Sequence, residues 1–262
     1  MEHPQNSEGE LSSKSSNNAP ISEGHSVLNF QFLTLFPEIL SSVLQTSLLG
    51  KAQKNGLLSY QFTQIRDFSE DRHRTVDDTP YGGGEGMVLK ADVLHSAWKS
   101  AQKGARGKTA TILLSPQGDL FTQDMAKDLA TYSQLIFVCG HYEGVDERFI
   151  DLCVDREVSV GNYVLTGGEL PALVMADTIA RLIPGVIGNP RSVSRDSLEN
   201  GLLKYPQYTR PKEFQGVSVP DVLLSGNHRA IEAWRHRQMV ERTQSKRPDL
   251  WQKYIEEHPG EC

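Results

Sequence analysis

Gly161, Gly167 and Gly168 punctuate the apolar run Val-Ser-Val-Gly-Asn-Tyr-Val-Leu-Thr-Gly-Gly-Glu-Leu-Pro-Ala, residues 158–172. Glycines so placed strip side chains from a turn that leaves a strand and enters a helix. A flat ligand could then press against main-chain amides and be read by the backbone itself. The same spacing also suits glycines that serve only the turns of a strand, a tight loop and a helix N-terminus. Two further loops favour a binding site. Ser115-Pro116-Gln117-Gly118 and Gly140-His141-Tyr142-Glu143-Gly144 each follow an apolar, strand-like run, and in a parallel sheet all three would emerge at one edge.

Holding three loops at one edge requires strands and helices in alternation, and the chain supplies them. Leu28 to Phe36 predicts a strand, and Pro37 suits the first turn of a helix continuing through Leu49 before Gly50. Tyr60, Phe62 and, after a slip, Ile65 mark a second strand. It runs into a long polar loop, Asp67 to Gly86, which holds Arg72-His73-Arg74, Asp77-Asp78 and Tyr81-Gly82-Gly83-Gly84-Glu85-Gly86 and is too rich in glycine to be rigid without a partner. A helix to about Lys103, a strand from Thr109 to Ser115 and a helix from about Thr122 to Thr131 follow. Next come a strand from Leu135 to Cys139, a short helix from Glu143 to Asp151 and a strand from Glu157 to Val160. Such alternation predicts an α/β fold with a mostly parallel sheet. The helix Glu169 to Ile183 is apolar nearly all round apart from Asp177, so a large core or a subunit interface is expected to enclose it.

The 262 residues, 38% hydrophobic and 23% charged, can bury a proper core and contain no apolar run long enough to cross a bilayer, which predicts a soluble protein with no membrane partner. Residues 1–27, rich in Ser, Glu and Asn and without an apolar block, read as a disordered extension rather than a signal peptide or anchor. Residues 28–187 form the domain that carries the glycine loops, 188–201 a polar linker, and 202–262 a small, mainly helical domain. The net charge of −6 hides an uneven distribution: Lys204 to Arg247 holds nine Lys and Arg (Lys204, Arg210, Lys212, Arg229, Arg235, Arg237, Arg242, Lys246, Arg247) against four acids (Glu213, Asp221, Glu232, Glu241). Asn227 is placed to cap a helix with Ile231, Trp234 and Val240 inward and Arg229, Arg235 and Arg237 outward. Cys139, Cys153 and Cys262 fit no paired-ligand spacing, which suits reduced thiols in a cytoplasmic protein.

Familiar nucleotide and metal fingerprints fail. Gly82 to Gly86 lacks the third glycine of the dinucleotide pattern, no Gly-Lys-Ser/Thr follows a glycine cluster, and no His-Glu-x-x-His or Cys/His cluster is present. What remains is a set of loops able to hold an adenine and a ribose, beside a basic C-terminal segment. Leu35-Phe36-Pro37-Glu38, residues 71–78 (Asp-Arg-His-Arg-Thr-Val-Asp-Asp), Pro80-Tyr81-Gly82-Gly83-Gly84, Leu114-Ser115-Pro116-Gln117-Gly118, residues 142–148 (Tyr-Glu-Gly-Val-Asp-Glu-Arg), residues 163–171 (Tyr-Val-Leu-Thr-Gly-Gly-Glu-Leu-Pro) and residues 223–228 (Leu-Leu-Ser-Gly-Asn-His) together resemble the bacterial tRNA (guanine-N1)-methyltransferase family. These blocks run from Leu35 to His228, and the resemblance extends to about Asp249.

The resemblance implies a trefoil-knotted α/β fold of the SPOUT class, a homodimer, S-adenosylmethionine as methyl donor, and as acceptor the guanosine immediately 3′ of a tRNA anticodon. It also suggests Mg²⁺, for which the sequence shows no ligand cluster. Carried over by motif, the donor pocket comprises Ser115, Pro116, Gly140, Tyr142, Glu143, Ser159, Val160, Gly161, Asn162, Tyr163, Val164, Leu165, Gly167 and Gly168. The catalytic pair is Asp196, taking the proton from guanine N1, and Arg181, bonding O6 as charge develops there. An aspartate is a weak base in water, so desolvation is expected once tRNA covers it. Read without the family, Asp196 followed by Glu199 is a helix-capping pattern and Arg181 a cation balancing a helix C-terminus. Asn162 and Lys204 depart from the family, which usually has Asp at the first position and an acidic residue at the second. A knotted methyltransferase acting on another RNA site, and a silent RNA-binding protein, are the alternative functions.

Overall fold

The computed structural model describes residues 27–188 and 196–260. The extension assigned to residues 1–27 thus falls, but for Val27, outside the described residues, as do residues 189–195 of the linker.

A five-stranded sheet in the order β2-β1-β6-β5-β7 forms the centre, with every pairing parallel. Its strands are β1 Leu28–Thr34, β2 Leu58–Gln64, β5 Thr109–Leu120, β6 Gln134–Cys139 and β7 Arg156–Ser159. β1 and β6 are almost wholly buried, as near-continuous apolar runs must be when both faces of a parallel sheet are covered. One face packs Phe30, Phe32 and Phe137 against α1 Pro37–Leu44, α2 Ser47–Lys54, α4 Gln123–Leu129 and α6 Glu169–Ala180. The other packs Leu33, Leu113, Ile136 and Val138 against α3 Ala91–Ala101 and α5 Glu147–Cys153. The three Phe rings stack with centroids 5.4 to 6.4 Å apart, and fully burying each is worth about 1.5–3 kcal/mol.

Several expected elements are redrawn by local geometry. The helix expected from Pro37 to Leu49 is two helices: Ser47 takes φ +50°, and Gly50, inside α2, has no side chain where the Gln45 carbonyl approaches. The strand expected to stop at Ser115 continues to Leu120 through a register shift. α5 begins at Glu147 rather than Glu143, because residues 143–146 are spent bonding to Met87 and Leu89 (Glu143 N to Met87 O 2.9 Å, Asp146 N to Leu89 O 3.1 Å). The polar loop from Asp67 also has more order than its composition suggests. Asp71 accepts from the backbone N–H groups of His73 and Thr75, and β3 Asp77–Asp78 pairs with β4 Val88–Leu89.

Beyond the sheet, a short hairpin (β8 Glu213–Phe214, β9 Val217–Ser218) precedes α7 Asp221–Leu224, α8 His228–Lys246 and α9 Pro248–Glu257. Asn227 caps α8 as expected, accepting from Ala230 N at 3.1 Å. Arg235 does not face outward: it lies over the Tyr205 ring at 4.9 Å and pairs with Glu232 at 2.7 Å. Among the described residues no helix is long and apolar enough to cross a membrane.

Candidate functional site

Parallel strands deliver their following loops to one edge, and here three of them enclose a cavity of about 480 Å³, within the size range of sites for ligands as large as a nucleoside. Ser115, Pro116 and Gln117 form one wall, residues 140–144 a second, and residues 157–161 with 163–168 the third. Of the residues assigned to the pocket from sequence, all but Asn162 line it.

Each wall is held by its own backbone chemistry. Ser115 Oγ accepts from Gln117 N (3.1 Å), and a side chain at Gly118 would overlap the Glu157–Val158 backbone, so the first loop lies tight on β7. In the second wall Tyr142 adopts φ +60°, a conformation unfavourable for an aromatic residue that the bond from Gly144 N to His141 O (3.2 Å) helps to hold. A Cβ at Gly86 would meet the Glu143 side chain, which brings the glycine-rich loop after Tyr81 against this wall. In the third wall Ser159 Oγ donates to Gly161 O (3.1 Å), and Tyr163 Oη donates to Val160 O (3.2 Å), folding its ring over Gly161.

The glycines of this edge do more than open the floor to a ligand. Gly168 sits against the backbone of Cys139 and Gly140, with its N–H donating to Gly140 O at 2.9 Å, and Gly167 leaves room for the His141 ring. Main-chain closeness is needed here before any ligand arrives. Tyr142, Tyr163, Val164 and Leu165 remain exposed around the cavity, an apolar rim of the kind that marks a binding site.

Asp196 and Arg181 are brought together, but not in this cavity. Arg181, the C-cap of α6, donates from Nη2 to Asp196 Oδ2 at 2.7 Å, and Lys204 Nζ donates to Oδ1 at 2.8 Å. They border a second, polar cavity of about 300 Å³ with Gln123, Thr178, Ser197 and Glu199. Residues 196–200 are bend and turn rather than helix, and Glu199 bonds Gln123 (2.6 Å) and Lys127 (3.2 Å). The capping-box reading of Asp196 and Glu199 therefore gives way to an ion-pair cluster. Among the described residues no group of three or more His, Cys, Asp or Glu could hold a metal ion.

Sequence reasoning passed over His141 and Glu169, although both stand inside the motifs it quoted. The signal was a carboxylate opening an otherwise apolar helix. In the structure His141 lines the first cavity and Glu169, 2% exposed, lies behind it.

Comparison with known proteins places the chain among named relatives. Residues 28–253 match the family model described as tRNA (Guanine-1)-methyltransferase TrmD. A tRNA (guanine-N(1)-)-methyltransferase of Ruminiclostridium cellulolyticum is 51% identical over 226 residues, covering 86% of this chain and 97% of the relative. Proteins of the same name from Lachnospira eligens (48% identical, 89% and 99% covered) and Staphylococcus carnosus (51% identical, 87% and 92% covered) are similarly close. Both the sheet that carries the three loops and the basic segment Lys204 to Arg247 lie inside the matched span, and the chain belongs to the tRNA (guanine-N1)-methyltransferase TrmD family.

Proposed function

We propose that the chain transfers a methyl group from S-adenosylmethionine to N1 of guanine in tRNA, at the guanosine immediately 3′ of the anticodon. The observation that carries this reading is the meeting of three separate sequence blocks in one cavity of nucleoside size, in a chain about half identical to proteins bearing that name. The donor supplies a methyl group already activated on a sulfonium. Guanine N1 still carries its proton, so the protein's tasks are to remove that proton and to fix the approach. Asp196 takes the proton, and Arg181 hydrogen-bonds O6 as negative charge develops. Because both Asp196 oxygens are engaged by cations, one of them has to be released for the incoming N1–H.

The reading includes a SPOUT-class trefoil knot, donor binding by residues 28–187, tRNA contact by the basic domain 202–262 and action in the cytoplasm. It also includes a homodimer with shared sites, which two features support. Leu170 and Val174 of α6 are exposed, as are Phe36, Ile39 and Val43 at and within α1, and these two helices pack against each other, so both offer apolar surface of the kind subunits cover. Asp196 and Arg181, absent from the lining of the first cavity, can meet the donor of a second copy. Incubating the protein with labelled donor and unmodified tRNA, then locating the methyl group, tests the assignment. A label elsewhere than guanine N1, or none, overturns it.

A further inference from the structure

Among the described residues Glu169 is the one charged residue that is fully buried. Removing a carboxylate from water costs several kcal/mol unless its oxygens find donors, and Glu169 has two from distant parts of the chain. Thr34 Oγ1, at the end of β1, donates to Oε1 at 2.6 Å, and His141 Nε2 lies 2.8 and 3.0 Å from the two oxygens. Thr34 Oγ1 is itself fixed by Phe36 N at 2.9 Å. Standing in the first turn of α6, the carboxylate also faces the positive end of the helix dipole. Its charge is felt nearby: the Cys139 thiol is pushed up first by complete burial and then by Glu169.

The His141 ring is confined on all sides that matter. It meets Phe36 edge-on at 5.1 Å and Tyr142 at 6.2 Å, occupies the space left by Gly167, and is only 13% exposed. With the ring anchored, its own backbone carbonyl accepts from Gly144 N, and the strained Tyr142 is held between the two. Residues 140–144 are one wall of the first cavity, so an anchor behind that wall sets the shape the ligand meets.

We propose that Glu169 is a positioning residue for donor binding, acting through His141 to hold the wall formed by residues 140–144. The inference rests on the reading of the first cavity as the donor site. His141→Leu removes the N–H donor at similar size, whereas His141→Gln retains one. Calorimetry with S-adenosylmethionine should show His141→Leu weakened by roughly tenfold, because a wall no longer anchored has to be ordered as the donor binds. His141→Gln should recover most of that affinity. Turnover at saturating donor and tRNA affinity should stay near wild type, so the binding loss appears in KM for the donor and not in kcat, while the melting temperature falls because buried Glu169 keeps only Thr34 as a donor. If His141→Leu does not fold, Glu169→Gln, which changes almost no volume, carries the same test through weakened donor binding at unchanged kcat. Wild-type donor affinity in the variant measured, or equal weakening by Leu and Gln at position 141, overturns the proposal. Gly161→Val separates the two levels. Unchanged donor affinity in that variant refutes the donor site itself, whereas loss there with no effect at His141 refutes only the role of the His141–Glu169 pair.

Discussion

Lys204 Nζ lies 2.8 Å from one carboxylate oxygen of Asp196 while Arg181 Nη2 lies 2.7 Å from the other, so the proposed base sits between two cations. Lys204 thus has a local structural consequence. It gives Asp196 a second partner and ties it to the chain eight residues on.

Asp196→Asn should lower turnover roughly 10²- to 10⁴-fold, the usual range for a lost general base, with donor affinity near wild type. Lys204→Met removes a partly exposed ion-pair partner, and such pairs contribute little, so turnover should change by less than about fivefold. Single-turnover rates with saturating tRNA check both. Near-normal turnover in the Asn variant would remove Asp196 from the chemistry.

Gly161→Val should abolish donor binding. Gly161 has φ +157°, and any Cβ there would run into the Tyr163 ring, which its hydroxyl pins to Val160 O. The substitution therefore displaces a wall of the cavity as well as narrowing it. Calorimetric titration that finds unchanged donor affinity would sink this prediction.

Arginines on α8 should divide by their surroundings. Arg229 and Arg237 are exposed, and replacing both with Ala should weaken tRNA binding and flatten its salt dependence by roughly one unit of slope for each phosphate no longer neutralised. Arg235, packed on Tyr205, should instead show its replacement mainly as a melting temperature lowered by a few degrees, about 1 kcal/mol in a chain this size. Binding isotherms at several salt concentrations, with thermal melts alongside, distinguish the two roles. A tRNA affinity indifferent to Arg229 and Arg237 leaves that face merely solvated.

Subunit exchange tests site sharing. Gly161→Val and Asp196→Asn chains are each expected to be inactive. If the base of one subunit serves the donor of the other, each heterodimer has one site with both lesions and one with neither, and random mixing should restore roughly a quarter of wild-type activity. No recovery after verified exchange would mean that Asp196 serves its own chain's donor.

How much of the molecule was legible in its sequence depended on how local the determinants are. The boundaries of β1, β6 and β7, the proline opening α1 and the Asn227 cap are written in neighbouring residues and agree with expectation to within a residue or two. The split between α1 and α2 was hidden because Ser47 adopts an unusual backbone conformation that its side chain does not announce. Arg235 read as a surface cation because nothing in its own helix reveals Tyr205, thirty residues earlier, beneath it. Glu169 and His141 are 28 residues apart and meet only once β6 and α6 are laid side by side, so their hydrogen bond was beyond any local pattern. The loops of the first cavity were found, since each glycine cluster marks itself. Their separation from Asp196 within one chain is a property of the assembled fold.

Val158 pairs with β5 twice, opposite Leu114 before the Ser115–Gly118 excursion and opposite Asp119 after it. Both ends of that excursion are therefore fastened to the same residue of β7. A loop anchored in this way has no free end to take up an added residue and no slack to give one up, because either change would move Leu120 off its pairing with Ser159. The four residues between the two anchors form a segment whose length, more than its composition, the fold dictates. Single-residue insertions or deletions should be far less welcome there than in the glycine-rich stretch after Tyr81, where added side chains at Gly82 and Gly83 would meet open space.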